Sequence, residues 1–215
     1  MILAAGRGER MMPLTTNKPK PLIKVKGITL IEHSINALKK ANITDIVINI
    51  AYLGEQIQSH LGDGSNFGVN IQYSHEPEGA LETAGGIIKA LPLLGNKPFV
   101  VINSDVLCDY DLSQLKLPIG SLAHLVLISN PEHNPKGDFS LSNNHQIVTV
   151  DSNSYTFSGI GIYHPVFFKN HIAIQGKLPL YPLLKEALSS SQLSGEYYQG
   201  YWQDVGTPER LASAD

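Results

Sequence analysis

Four short apolar runs alternate with stretches of helical periodicity across the first half of the chain, and this alternation limits the fold more than any other feature. Residues 1–5 end in Gly6, and residues 46–50 are rich in β-branched side chains. Val69, Ile71 and Tyr73 alternate with Asn70 and Gln72, and residues 99–102, the most hydrophobic run, lead directly into Asn103-Ser104-Asp105. Between the runs, Leu30, Ile31, Ile35 and Leu38 recur at helical spacing and stop near Asn42. Ile57 and Leu61 mark a short second helix closed by Gly62-Asp63-Gly64, and a loop over 79–86 leads into a helix through Ile87, Ile88 and Leu91. Repeated β-α units predict an α/β fold: a Rossmann-like, mostly parallel sheet flanked by helices, with right-handed crossovers. Such sheets bind ligands beyond the carboxyl ends of their strands. Gly6 and Asp105 stand at two of those ends, so chemistry is expected there.

The second half changes character. Segments 122–129, 137–141, 146–150 and 155–163 read as short strands separated by Asn-Pro, Asn-Asn and Asp-Ser-Asn turns. Residues 180–188 read as a helix and 197–205 as a further strand; a last helix has Thr207 as N-cap, Pro208 at its first position and Glu209 in its first turn. The expected organisation is a single domain over 1–215, an α/β core with a smaller β-rich lobe and a cleft between them. Hydrophobic residues make up 42% of the chain and charged residues 16%, which suffices for a real core. The net charge of −3 gives no electrostatic reason for a nucleic-acid partner, although Lys18, Lys20, Lys24 and Lys26 cluster as a local anion site would. No stretch approaches the ~18 apolar residues of a membrane span. The first residues lack the charged region of a signal peptide and read as a buried strand, which a residue or two is expected to precede. One cysteine, Cys108, excludes an internal disulfide and suits a reducing compartment, so a cytoplasmic protein is expected.

Three readings compete for the loop Gly6-Arg7-Gly8-Glu9-Arg10. A dinucleotide fingerprint needs a third glycine where Met11 stands, and no P-loop run exists. The third reading is a glycine turn whose backbone N–H groups approach a nucleoside triphosphate, with Arg10 and Lys20 as fixed positive charges. A plain surface loop is the alternative. The whole segment decides: Leu3-Ala4-Ala5-Gly6-Arg7-Gly8-Glu9-Arg10-Met11-Met12-Pro13-Leu14-Thr15, then Lys18-Pro19-Lys20-Pro21-Leu22. It closely resembles the signature of the sugar-1-phosphate nucleotidyltransferases. That resemblance implies the nucleotide-diphospho-sugar transferase fold, with a nucleotide-binding half over 1–110 and a sugar-binding half over 111–215 that returns to the core. It also implies that Arg10 and Lys20 serve the phosphates, and that Leu3, Ala4, Ala5, Gly6 and Gly8 hold base and ribose. Pro19 and Pro21 would fix the direction of Lys20.

Asp105 ends the most apolar strand, where a carboxylate is costly unless exposed, paired or on a metal. Asp204 lies in Trp202-Gln203-Asp204-Val205-Gly206-Thr207. Either alone reads equally well as a turn or capping residue, as Asp109 and Asp111 do before a helical segment at 112–115. As a pair, Asp105 and Asp204 match the two metal-binding aspartates of the family, which implies Mg²⁺, a hard cation that needs few protein carboxylates beside phosphate and water. The eight histidines show no zinc spacing. No paired general base stands out, and none is needed: a phosphate monoester, with its second pKa near ~6, already attacks as an anion. A direct displacement at the α-phosphorus is expected, with Asp105, Arg10 and Lys20 as catalytic residues.

Glu76-Pro77-Glu78-Gly79-Ala80-Leu81-Glu82-Thr83-Ala84-Gly85-Gly86 resembles the second base-contacting loop of the family, with Glu76, Ala80 and Gly85 toward the nucleotide. Ala80 stands where the family carries proline, and the loop is one residue longer. The Glu-Lys-Pro triplet of the glucose-1-phosphate thymidylyltransferases is missing from residues 151–160. Gly137-Asp138-Phe139, Thr156-Phe157-Ser158-Gly159-Ile160 and Ser194-Gly195-Glu196-Tyr197 instead resemble the short N-acetylmuramate α-1-phosphate uridylyltransferases. UTP and a sugar-1-phosphate are then the implied partners, in cell-wall recycling, with Asn103, Gly137, Asp138, Ser158, Gly159 and Asp204 toward the sugar. Phe139 and Phe157 read as core, and Tyr197, Tyr198, Tyr201 and Trp202 as core and cleft wall. The chain lacks the extra helices and hexapeptide repeats of larger relatives, which points to a monomer. Mannose- or glucose-1-phosphate or phosphocholine with GTP, UTP or CTP, or a silent nucleotide-sugar sensor, are the rival readings. Retention of all four charged residues argues against silence.

Overall fold

The four apolar runs of the first half form adjacent strands of one sheet. The computed structural model describes residues 1–77, 79–142, 146–148, 154–174 and 176–214. From the start of the chain come β1 (Ile2–Leu3), a hairpin of β2 (Lys24–Val25) and β3 (Ile28–Thr29), α1 (Leu30–Lys40), β4 (Asp45–Ile50), α2 (Gly54–Leu61), β5 (Asn70–His75), α3 (Glu82–Leu94) and β6 (Phe99–Asn103). There follow β7 (Val106–Cys108), β8 (Ala123–Ile128), β9 (Phe139–Leu141), β10 (Ile147–Val148), β11 (Ser154–Tyr163), α4 (Leu180–Ser189), β12 (Leu193–Tyr197), β13 (Trp202–Asp204) and α5 (Pro208–Ala214).

Strands β6, β1, β4 and β5 lie side by side and parallel, with Ile2 registered on both Ile102 and Ile48. The main sheet runs β10-β9-β11-β6-β1-β4-β5, with β8 against β11 and β12 beyond β8. It is a mixed sheet with a parallel centre, because β11 enters antiparallel to both β6 and β8. Strand β11 also joins the two halves of the chain: its first residues pair with β9, and its last four with β6. The β-rich second half is thus built onto the same sheet.

Both faces of the inner strands β4 and β6 are buried, which is why they read as apolar runs, whereas the edge strand β5 alternates buried and exposed residues. Alternate side chains divide between two cores. Val47, Ile87, Val101, Leu125 and Leu184 pack on one face with α3 and α4. Ile2, Ile35, Ile46, Ile48 and Ile57 pack on the other with α1 and α2. Each fully buried side chain of this kind contributes about 1.5–3 kcal/mol. No helix among the described residues is long and apolar enough to cross a membrane.

Three local expectations change. The run at 197–205 breaks into two strands at Tyr198-Gln199-Gly200-Tyr201: β12 joins the main sheet parallel to β8, whereas β13 forms a separate ribbon with β7. Residues 112–115 form turns instead of a helix, because the Asp111 carboxylate accepts from the Ser113 amide at 3.0 Å and closes a local turn. Helix α3 starts at Glu82, so Gly85 and Gly86 lie within a helix instead of a loop. The strand expected at 146–150 is present at Ile147–Val148; the Asn-Asn and Asp-Ser-Asn turns, Thr149 and Val150 lie outside the described residues.

Helix α1 begins with a reciprocal capping box: the Thr29 amide donates to Glu32 Oε2 at 2.6 Å, and the Glu32 amide to Thr29 Oγ1 at 3.4 Å. Burial alone would raise the Glu32 pKa, but the hydrogen bonds from Thr29 and the proximity of His60 bring it below its ordinary value. Its contribution is therefore complete above the unfolded pKa and is lost as pH falls through the folded one. Thr29→Ala is expected to cost about 1 kcal/mol in urea unfolding at pH 7, with a smaller loss at pH 3. An unchanged midpoint at pH 7 would refute the cap.

Candidate active site

A cleft of ≈ 490 Å³ opens at the carboxyl ends of β1, β4 and β6. Its floor is formed by Leu3, Ala4, Ala5 and Gly6 on one side and Asn103, Ser104 and Asp105 on the other. The Ser104 amide donates to Leu3 O at 3.1 Å, so the two strand ends open together. Gly8 turns the chain over the cleft with φ +68°, and its carbonyl accepts from the Met11 amide and the Thr15 hydroxyl, both at 2.9 Å. A Cβ on Gly8 would lie 3.0 Å from Cβ of Lys20. Glycine is needed here both for its positive φ and for that close approach.

Lys20 begins a 3-10 turn between Pro19 and Pro21, and its Nζ forms an ion pair with Oδ2 of Asp105. The Lys20 side chain is 12% exposed and that of Asp105 25%, so the pair is shielded yet reachable from the cleft. Arg10 is exposed and lines the same cleft. Arg7, Arg10 and Lys20 line the cleft with four carboxylates, Glu9, Glu76, Glu82 and Asp105; the cations and the backbone of the Gly8 turn are a setting for phosphate groups.

The opposite wall is a buried hydrogen-bond chain. The Ala4 amide donates to Asn49 Oδ1 at 2.9 Å, Asn49 Nδ2 donates to Glu76 Oε1 at 2.6 Å, and the Leu81 amide donates to Glu76 Oε2 at 2.7 Å. Glu76 lines the cleft with both oxygens engaged, tying β1, β4 and the 76–81 loop into one unit. Ala80 and Glu82, both lining the cleft, hold φ +55° and +63°, a costly conformation for residues with a side chain. Gly85 is not among the cleft-lining residues. Its amide donates to Leu178 O at 3.1 Å, and a Cβ there would meet Gly176 O at 2.9 Å, so it serves packing. Gly86 is the glycine beneath the site: a Cβ there would fall 2.4 Å from Glu76 Oε1 and 2.9 Å from Asn49 Nδ2.

Asp105 and Asp204 meet through the β7–β13 ribbon, where Asp204 registers on Val106 and the Val205 amide donates to Asp105 O at 2.8 Å. Their side chains differ in setting. Both Asp204 oxygens accept from Arg210 Nη1, at 2.6 and 2.7 Å, and Asp204 lines a second hollow of ≈ 400 Å³ with Trp202, His133 and Arg210. No group of three or more His, Cys, Asp or Glu that could hold a metal occurs among the described residues.

Of the residues expected to meet the sugar, only Asn103 and Asp204 line either hollow. Asp138 accepts from the Phe157 amide at 2.8 Å and from Asn134 Nδ2 at 3.1 Å, which fixes the loop before β9 to β11. Gly137, at φ +63°, would place a Cβ 2.7 Å from Asn130 Oδ1. Ser158 is buried, its hydroxyl accepts from the Ile160 amide at 3.1 Å, and its carbonyl accepts from Trp202 Nε1 at 2.9 Å. Gly159 has φ +80° where the β8–β11 register shifts, and a Cβ there would lie 2.5 Å from Asn103 Nδ2. The Ser158-Gly159 bulge thus braces Asn103 on one side and Trp202 on the other. Phe139 is buried and Phe157 packs against the same core, as expected.

Asn49, Gly86, His133 and Arg210 were not singled out from the sequence. The one available signal was Asn49, a polar residue inside the β-branched run 46–50. Behind the cleft, burial raises the Cys108 thiol to about 11. Its thiolate fraction at pH 8 is then lower by about two orders of magnitude than for an ordinary cysteine. Alkylation by iodoacetamide should slow on that scale relative to the urea-unfolded chain, and equal rates would contradict the burial.

Comparison with known proteins agrees with this geometry. A family model described as "Nucleotidyl transferase" matches residues 1–215. The N-acetylmuramate α-1-phosphate uridylyltransferase of Neisseria meningitidis is 51% identical over 100% of this chain and 95% of its own. The enzyme of the same name from Caulobacter vibrioides is 30% identical over 100% and 94%. A mannose-1-phosphate guanyltransferase of Gibberella zeae is 32% identical, with 99% of this chain matching 62% of that protein. A crystal structure of a candidate glucose-1-phosphate thymidylyltransferase from Bacillus anthracis, in complex with sucrose, superposes with a TM-score of 0.86 at 26% identity, over 99% of this chain and 92% of that one.

Proposed function

We propose that this chain, which belongs to the nucleotidyl transferase family, condenses UTP with N-acetylmuramic acid 1-phosphate to give UDP-N-acetylmuramic acid and pyrophosphate. The observation that carries this reading is 51% identity across the whole chain to an enzyme of that name. The convergence of Lys20, Asp105 and Arg10 on one cleft supports it. Such a reaction would return a muramic acid derivative to cell-wall precursors.

In this reading the nucleotide lies over Leu3-Ala4-Ala5-Gly6, with its phosphates under the Gly8 turn. An oxygen of the sugar phosphate forms a bond to the α-phosphorus while the bond to the bridging oxygen breaks and pyrophosphate leaves. The nucleophile arrives ionised, so no side chain has to remove a proton. The work left to the protein is alignment and charge neutralisation. Lys20, shielded and directed by two prolines, faces the reacting centre, and Arg10 at the rim takes the outgoing phosphates.

The donor set fits Mg²⁺. Asp105 offers a carboxylate beside the phosphate space; Asp204, on the neighbouring strand of the ribbon, would add a second only on release of an oxygen from Arg210. A hard cation that keeps water and phosphate oxygens as ligands needs no more from the protein. When bound, Mg²⁺ would supply charge neutralisation at the phosphates. Chelation with EDTA should accordingly stop turnover, and added Mg²⁺ should restore it.

Pyrophosphate release measured across UTP, CTP, GTP and dTTP, each with N-acetylmuramic acid, glucose, mannose and N-acetylglucosamine 1-phosphates, tests the assignment. Release with UTP and the muramic acid derivative at the highest kcat/KM is expected. A higher value for another pair would replace the proposed substrates.

A further inference from the structure

The second hollow contains a charged group that nucleotide transfer alone does not require. The chain has three arginines, Arg7, Arg10 and Arg210. The first two belong to the nucleotide loop. Arg210 lines the second hollow and is the only lysine or arginine among its described lining residues. It projects from α5, is 19% exposed, and is fixed through a single nitrogen: Nη1 donates to both Asp204 oxygens and, at 3.1 Å, to the ring of His133. Nη2 lies on the side of Gly206, where an added Cβ would fall 2.4 Å from it, and Gly206 itself lines the nucleotide cleft. The guanidinium therefore stands where the two hollows meet. Among the described residues, side-chain hydrogen bonds engage Nη1 alone.

An arginine carries N–H donors on Nε and Nη2 as well, in a planar fork that matches a carboxylate. The Asp204 pair cancels part of its charge but leaves that fork open, and partial burial strengthens any bond it makes. Trp202 and Tyr198 line the same hollow and give it aromatic surface on which a pyranose can pack. Lys20 is committed to Asp105, so a second anion on the sugar, distinct from its phosphate, requires another cation.

We infer that Arg210, with its plane set by His133 and Asp204, binds the lactyl carboxylate of the sugar-1-phosphate and selects an acidic sugar over a neutral one. This rests on the muramic acid reading above, because that sugar differs from N-acetylglucosamine by a lactyl ether bearing a carboxylate. Arg210 is then a specificity residue at the sugar, and His133 is a positioning residue that acts through it.

The test compares two substrates with UTP: N-acetylmuramic acid 1-phosphate and the same compound with its lactyl carboxyl converted to the neutral amide. In the wild-type protein the acid should exceed the amide in kcat/KM. In R210K, which keeps a charge for Asp204 but loses the fork, the acid-to-amide ratio should fall about 10- to 100-fold. The change should lie in KM for the acid, with KM for UTP within about twofold of wild type. In H133A the Asp204–Arg210 pair remains, so this variant serves if R210K does not fold. Its ratio should fall severalfold. Calorimetric titration of the acid and the amide without UTP gives the same comparison independent of turnover. Equal losses for acid and amide in both variants would reduce Arg210 to a partner of Asp204 and overturn the inference. A wild-type protein inactive on both sugars but active on another sugar phosphate would remove the substrate reading itself, and this inference with it.

Discussion

Asp105→Asn should lower kcat/KM by roughly 10²–10⁴-fold while leaving the protein folded. The substitution is isosteric, removes one negative charge from the cleft and leaves Lys20 without its ion partner. Both side chains are partly exposed, so solvent screening limits the stability cost to about 1 kcal/mol. That is ~2–4 °C in Tm for a chain of this size. The predicted signature is a near-normal melting temperature with turnover almost abolished at any Mg²⁺ concentration. Asp204→Asn should be milder in turnover but worse in stability. Both of its oxygens accept from Arg210, and in asparagine one of those positions becomes an NH₂ donor facing the guanidinium. Pyrophosphate release and thermal melting on the same samples separate the two effects. If Asp105→Asn kept even a tenth of wild-type turnover, the central role given to that carboxylate would be wrong.

Gly86→Ala is expected to be the most damaging single-methyl change near the site. Helix α3 would tolerate alanine better than glycine by about 1 kcal/mol on propensity alone. The added Cβ, however, falls 2.4 Å from Glu76 Oε1 and 2.9 Å from Asn49 Nδ2, inside the hydrogen bond that joins β4 to the 76–81 loop. Relief requires either moving α3 or breaking that bond. Overpacking costs about 1–3 kcal/mol, and a lost hydrogen bond to a buried carboxylate about 1.5–3. A net loss of about 3 kcal/mol would lower Tm by roughly 6–12 °C. Because Asn49 also fixes the Ala4 amide at the cleft floor, the KM for the nucleotide should rise with it. Gly6→Ala is the informative contrast. No atom lies within 4 Å of its added Cβ, so stability should hold while the methyl group projects into nucleotide space. If Gly86→Ala melted like wild type, the Asn49–Glu76 chain would not be the brace described here.

Much of this was legible in the sequence for a definite reason. Parallel strands buried on both faces must be apolar throughout, so the runs at 46–50 and 99–102 announced themselves, and the rule that ligands bind beyond strand ends placed chemistry at Gly6 and Asp105. Lys20 was legible because two flanking prolines and a neighbouring glycine loop leave a local imprint on the chain. The brace under the site was less accessible. Glu76 reads as a base reader when only its loop is considered, and Gly85 and Gly86 cannot be told apart before the helix phase is known. Asp138, Ser158 and Gly159 were expected at the sugar, yet their hydrogen bonds and packing place them in the scaffold that supports Asn103 and Trp202.

By itself the sequence determined the β-α alternation of the first half, the strand ends at which the cleft opens and the motif that carries Arg10 and Lys20. These depend on local periodicity, on backbone restriction by proline and glycine, and on burial of both sheet faces, all of which are written in neighbouring residues. Only the tertiary structure decided which glycine lies under the Asn49–Glu76 bond, that β12 and β13 leave one run for two different sheets, and that Arg210 joins Asp204 and His133 at the junction of two hollows. Those outcomes depend on contacts such as Asn49–Glu76, His133–Arg210 and Trp202–Cys108, 27, 77 and 94 positions apart in the chain. Close packing and hydrogen-bond direction settle such contacts, and neither leaves a periodic trace along the chain.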